Sequence, residues 1–116
     1  MKLEDIIDDI FIDPRKLTHY ALNLESLHGK HKAIVFLKVF NYNQDNYNHL
    51  LEQIQNKALN TEAFFHSKDN YGSRYTVDIA IEGFNKKKGT VRTGWFILKN
   101  SKQARLATIY VLKEKK

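Results

Sequence analysis

The sequence predicts an α+β domain in which three or four N-terminal helices pack on one face of a four-stranded antiparallel β-meander. Three observations lead there. Apolar residues recur at spacings of three and four as far as Asn60, the period then drops to two, and turn residues divide the second half into four runs. At 116 residues, 42% of them hydrophobic and 12% aromatic, the chain is long enough to bury one modest core.

Leu3, Ile6, Ile7 and Ile10 fall at i, i+3, i+4 and i+7. This spacing predicts an acidic amphipathic helix over 1–13, ahead of a single α+β domain over 14–116. Asp13-Pro14 then restarts a helix, with Asp13 as N-cap and proline at the first helical position. Leu17, Tyr20, Ala21 and Leu24 make its apolar stripe, and Lys16, His19 and Asn23 share a polar face. After a loop through Glu25, Gly29-Lys30-His31-Lys32 reads as a compact cationic turn.

The run Ala33–Phe40 is apolar throughout and fits a buried strand or a buried helix by pattern. The alignment of Ala33, Phe36, Leu37 and Phe40 on one face, and the clear helix that follows, favour helix. There Asn43 caps, and Tyr47, Leu50, Leu51, Ile54 and Ala58 repeat at helical spacing.

Strands are predicted over 61–67 and 73–82, separated by the turn Asp69-Asn70-Tyr71-Gly72. In the second of these, Tyr75, Val77, Ile79 and Ile81 face in while Thr76, Asp78 and Glu82 face out. The run Gly89–Leu98 is the central strand, with Val91, Thr93, Trp95 and Ile97 on the packed face and Thr90, Arg92 and Gly94 opposite. Gly94 leaves a space through which a ligand or another backbone can approach. The last strand, 105–112, is expected to bury Ala107, Ile109 and Val111 and to turn Thr108 and Tyr110 outward, before the charged tail Lys113–Lys116.

The formal net charge of +6 is uneven. Residues 1–13 set Lys2 against Glu4, Asp5, Asp8, Asp9 and Asp13, a local charge of −4 that leaves +10 on the remainder. A body this basic attracts polyanions, so RNA leads the expected partners, although the same excess also serves solubility. With no cysteine there is no disulfide framework and no thiolate metal site, and the cytoplasm is the expected compartment. No apolar run has the length of a membrane span, and the first residues are too acidic for a signal peptide. No glycine-rich nucleotide loop, serine elbow or His-Glu-x-x-His is present, so neither cofactor nor metal is expected.

If consecutive strands pair, Thr90 and Arg92 share an open face with Thr108 and Tyr110. Such a set suits a phosphodiester: arginine grips two oxygens and stabilises developing charge while hydroxyls donate to the rest. Metal-free RNA cleavage further needs one group to take the 2′-hydroxyl proton and another to protonate the leaving oxygen. Lys16 and His19 on one helix, and His31 and Lys32 at the start of the next, are the candidates. Lys30 and the run Lys86-Lys87-Lys88 would steer and hold the polyanion together with Thr90. Each has a plainer competitor: a solvated helix face for His19, a surface turn for His31, a hairpin loop for the lysine run. His28, His49 and His66 show no partner pattern and read as surface residues, and Trp95 as core.

Several stretches resemble a known family: Lys16–Asn23, Gly29–Ala33, the capped helix from Asn43, Tyr71–Tyr75, Thr90–Trp95 and Leu106–Tyr110. They are similar, in order, to a bacterial domain of about this length that stands alone or ends toxin-like and phage-related proteins. The succession of helices and meander also resembles the fold group of barnase, EndoU, colicin-type and RelE-type ribonucleases. That resemblance implies catalytic Lys or His from the helical part and Arg, Thr or Tyr from the sheet. It matches Lys16, Lys32, Arg92, Thr93, Thr108 and Tyr110, with His19 and His31 matching loosely. It further implies a toxin-like endoribonuclease countered by an antitoxin or immunity protein. The alternatives are a non-catalytic module for nucleic acid or an acidic protein, and an interaction domain whose acidic first helix covers the basic body.

Overall fold

The sheet has five strands, not four, and it is mixed. A computed structural model describes residues 1–112, and the tail expected after the last strand lies outside the described residues. The strands are β1 (Asp9–Phe11), β2 (Ala63–Lys68), β3 (Gly72–Glu82), β4 (Lys88–Leu98) and β5 (Gln103–Leu112). They lie in the order β1-β5-β4-β3-β2, with β2 to β5 antiparallel as expected and β1 added parallel to β5.

This corrects the predicted four-stranded antiparallel meander and the helix predicted over 1–13. Only Leu3–Asp5 winds, as one 3-10 turn. The chain then extends: the Asp8 N–H donates to the Lys102 carbonyl at 2.8 Å, and Ile10 lies in register with Ala104. Leu3 and Ile7 are buried as the apolar stripe requires, so the stripe was real, but a turn followed by a strand satisfies it as well as a helix. The unpaired rim of β5 supplies the deciding hydrogen bonds, and its position is a tertiary fact.

The helical half consists of one π-helical turn, Lys16–Ala21, and two α-helices, α1 (Lys30–Phe40) and α2 (Tyr47–Lys57). In the π-turn the Leu22 N–H reaches back five residues to the Leu17 carbonyl, at 2.8 Å. The wider winding rotates the expected stripe, so that Leu17, Ala21 and Leu22 are buried while Tyr20 and Leu24 are left exposed. Helix α1 ends on Asn41, whose φ of 57° is left-handed. Asn43 does not cap α2; its Oδ1 accepts from the N–H groups of Asp45 (2.8 Å) and Asn46 (3.1 Å) in a turn, and the helix begins at Tyr47.

One face of the sheet carries the core. Val77, Ile79, Ile81, Val91, Trp95, Ile97 and Ile109 from the strands meet Phe36, Phe40, Leu50 and Ile54 from the helices. Alternation on β3 and β4 follows the sequence reading, and the opposite face is left without a helical cover. On β5 the alternation breaks. Gly94 pairs with Thr108 but Trp95 pairs with Leu106, so Ala107 bulges outward and is exposed rather than buried.

Tyr42 ties the helical layer to the sheet. Its buried hydroxyl donates to the Glu82 carbonyl at 2.6 Å, accepts from Gln53 Nε2 at 2.8 Å, and lies 2.7 Å from His49 Nδ1. Burial pushes its pKa up to about 12, from 10.0. The unfolded chain therefore loses this proton before the folded one does, and stability should fall as pH rises from 10 toward 12. Urea titrations across that window should show the fall, and Tyr42→Phe should flatten it while costing about 1–2 kcal/mol at neutral pH.

Candidate functional site

The π-turn and the first turn of α1 lie beside the free half of β5, beyond the short stretch that β1 covers. Gly29 makes this junction possible. A Cβ there would fall well under 3.0 Å from the carbonyl oxygen of Tyr20, so only glycine lets the start of α1 seat on the π-turn. The result is a cleft of about 180 Å³ lined by Lys16, Tyr20, His28, Lys32, Ala107 and Thr108.

The cleft continues around the rim of β5 onto the open face. There Arg92, Thr108, Tyr110, Arg74 and His66 line a second hollow of about 370 Å³. Ala107 and Thr108 belong to both, because the bulge turns consecutive residues outward. Lys32 bridges the two: its Nζ stands 5.5 Å from the centroid of the Tyr110 ring, within cation–π range. Tyr110 is in turn the cross-strand partner of Arg92. Cations from the helical part and guanidinium and hydroxyls from the sheet thus share one groove.

Arg92 is not free. Its Nε donates to Asp78 Oδ1 at 2.8 Å and its Nη2 to Asp78 Oδ2 at 2.9 Å. This fork raises the arginine's pKa above its usual value, with the Tyr110 hydroxyl as the second cause. With the arginine side chain 39% exposed, the pair fixes the geometry of Arg92 more than it stabilises the fold. The guanidinium N–H groups not held by Asp78 or Tyr110 are left for another acceptor.

Gly94 has a different role from the one expected. The space above it holds the Thr108 hydroxyl, which a Cβ at 94 would strike. Glycine here lets Thr108 lean across β4, and it opens no approach for a ligand at that point.

The structure brings Lys16, Lys32, Arg92, Thr108 and Tyr110 together. It does not bring the others. Thr93 is fully buried, donating to the Val77 carbonyl at 2.7 Å and accepting from Trp95 Nε1 at 2.8 Å, on the face away from the groove. His19 is exposed beside Asp13 and Arg15 in a separate hollow of about 290 Å³ that shares Lys16 and Tyr20 with the cleft, and His31 is exposed on α1 outside the lining of the cleft. Lys86 and Lys87 lie in the β3–β4 hairpin loop, Lys88 opens β4 opposite Glu82, and Thr90 lies between that loop and Arg92 along β4. Lys30, His31 and Lys32 sit in the first turn of α1 with no acidic residue in that turn. Lys30 and Lys32 therefore stand, without a compensating carboxylate in that turn, at the positive end of the helix dipole.

The sequence reading of His28 and His66 as surface residues agrees with their exposure, but it gave them, and the outward-facing Asp78, no place in the groove. Asp78 was legible: with both residues on the outward face, the hairpin loop between β3 and β4 sets 78 opposite 92. No pattern marks His28 or His66, which reach the groove through the packing of a loop and an irregular edge strand.

Among the described residues no helix is long and apolar enough to cross a membrane, and no group of three His, Cys, Asp or Glu is placed to hold a metal ion.

A family model described as Domain of unknown function (DUF6883) matches residues 2–113, and the chain belongs to that family. None of the curated proteins matches it in sequence. Among solved structures, the chain is similar to one from a contact-dependent growth inhibition toxin–immunity protein complex of Klebsiella pneumoniae 342. The TM-score is 0.69 at 15% identity, over 89% of this chain and 93% of that one. At that identity the likeness is one of fold.

Proposed function

We propose that this member of the DUF6883 family is a toxin-type domain that binds RNA at the groove around the rim of β5 and cleaves it without a metal. The observation that carries the reading is the position of Lys32, 5.5 Å over Tyr110 and one strand from Arg92. Cations from two parts of the chain line the two joined hollows there, of about 180 and 370 Å³. The fold likeness to a chain of a toxin–immunity complex supports the toxin side of the reading. It also supports a protein inhibitor, for which a basic groove calls for an acidic surface.

In this reading the RNA 2′-oxygen attacks its own phosphorus as a base takes its proton. The bond to the 5′-oxygen breaks, that oxygen receives a proton, and the products carry a 2′,3′-cyclic phosphate and a 5′-hydroxyl. His28 is the proton-transfer group the cleft offers, in place of His19 and His31. Lys16 and Lys32 offset the phosphate charge, Thr108 and Tyr110 donate to its oxygens, and Arg92, oriented by Asp78, faces the charge that develops. The action belongs in the cytoplasm, where RNA is met.

A second reading is a non-catalytic module that holds nucleic acid or an acidic protein at the same groove. The Arg92–Asp78 fork favours it, because an arginine already engaged by a carboxylate has less to give a transition state. Incubating the full chain with total RNA in EDTA decides between them. Cleavage leaving cyclic phosphate ends is expected, with Lys32→Ala and Arg92→Ala each slowing it about 100-fold in folded protein. Binding without product would favour the module, and no RNA binding at all would overturn the ribonuclease reading and the nucleic-acid form of the module.

A further inference from the structure

A row of side chains crosses the open face near one end of the sheet. In register, Phe11 of β1 faces Arg105 of β5, Arg105 faces Phe96 of β4, and Phe96 faces Arg74 of β3. Aromatic rings and guanidinium groups therefore alternate across four strands, at about 4.8 Å per step. The Arg74 guanidinium lies 4.9 Å from the Phe96 ring centroid, and Phe11 is 47% exposed. The hollow between these groups, about 430 Å³, is lined by three cations, Lys16, Arg74 and Arg105, against one carboxylate, Asp13. Arg15 engages that carboxylate, and Asp69 pairs with Arg74 from the β2–β3 turn.

Folding does not require this row. Trp95 and Ile97 fill the opposite face, and an exposed phenylalanine beside an arginine forgoes burial that a core position would give. The row is continuous with the phosphate cleft, since Lys16 and Ala107 line both hollows. Flat rings and guanidinium planes offer stacking surfaces, and cations between them meet phosphates. A base-paired nucleotide cannot present its face to such a surface, whereas an unpaired one can.

From this juxtaposition we infer that the Phe11-Arg105-Phe96-Arg74 row is a stacking subsite for unpaired nucleobases, and that the polymer engaged by the neighbouring cleft is single-stranded. The inference rests on the RNA reading above and gives it a substrate class. Bases flanking the held phosphate lie along the row, and duplex RNA reaches only the cations. An acidic polypeptide, by contrast, is held by charge alone and is indifferent to whether position 96 carries a ring.

The test uses the full chain and fluorescence anisotropy with a labelled single-stranded RNA whose 2′-hydroxyls are methylated, so that it cannot be cleaved. Phe11→Leu with Phe96→Leu keeps both positions apolar and should preserve the fold, checked by circular dichroism. The double variant is expected to bind the single strand about tenfold more weakly, with an unchanged slope of log affinity against log salt. The matching duplex is expected to bind more weakly to the parent and to ignore the substitutions. A double variant within about twofold of the parent on the single strand would overturn the subsite while leaving the phosphate cleft standing. Equal losses on single strand and duplex would overturn it too, as would a labelled polyglutamate that binds the parent as tightly as RNA does. A parent that binds no RNA overturns the subsite together with the reading beneath it.

Discussion

Gly29→Ala is expected to lower the melting temperature by roughly 10–20 °C and to abolish the RNA binding proposed for the cleft before any charged residue is touched. The backbone at 29 has a φ of −104°, which alanine adopts freely, so the effect is steric and not conformational. The added methyl collides with the carbonyl oxygen and carbon of Tyr20, which are main-chain atoms that no side-chain rotation can clear. Either α1 lifts from the π-turn or the turn unwinds, and each costs about 3 kcal/mol. The same movement separates Lys16 from Lys32, so binding falls with stability. Thermal melts followed by circular dichroism check the first part. A melting temperature within about 2 °C of the parent would contradict the packing of this junction.

Trp95→Ala should be nearly as severe for a different reason. Trp95 is the largest fully buried side chain, and its removal leaves a cavity beneath the centre of the sheet worth about 3–5 kcal/mol. That is a large part of the roughly 5–15 kcal/mol available to a domain. The indole N–H donates to the Thr93 hydroxyl, which in turn donates to the Val77 carbonyl, so the ring is fixed by a polar relay within the core. Thr93→Val removes the relay at constant volume and should cost about 2 kcal/mol, because the indole N–H is then buried without an acceptor. Thr93→Ser retains the hydroxyl and should be milder. Urea midpoints at constant slope measure all three. Thr93→Ser should also leave any RNA cleavage unchanged, and a large loss of rate in that folded variant would return Thr93 to the site from which its burial removes it.

Much of the sheet was legible because alternation is a local signal. Val77, Ile79, Val91, Trp95 and Arg92 sit on the faces their spacing requires, and β3 and β4 pair in the register their hairpin loop dictates. What escaped depends on long-range fit. The stripe Leu3, Ile6, Ile7 and Ile10 is compatible with a helix, and only the free rim of β5 makes a strand of its second half. The π-turn shifts a stripe that α-helical spacing had placed on Tyr20 and Leu24, and the bulge at Ala107 reverses one residue of β5. At the site, the residues carried by regular elements or by the first turn of α1 came together: Lys32, Arg92 and Tyr110. The histidines did not follow, because an exposed imidazole leaves no trace in periodicity. His28 reaches the cleft only through the seat that Gly29 provides.

The parallel pairing of Asp9–Phe11 with Gln103–Arg105 also governs when the protein can finish folding. Its partners lie 94 residues apart, so the contact closes a loop spanning most of the chain, and the entropy of that closure must be met late. The helices and the central hairpin close over short stretches of chain, so β1 is expected to dock after them, and Phe11 to meet Arg105 only then. The surface inferred to read unpaired bases is thus expected to be assembled last, and a chain caught part-way through synthesis would lack it.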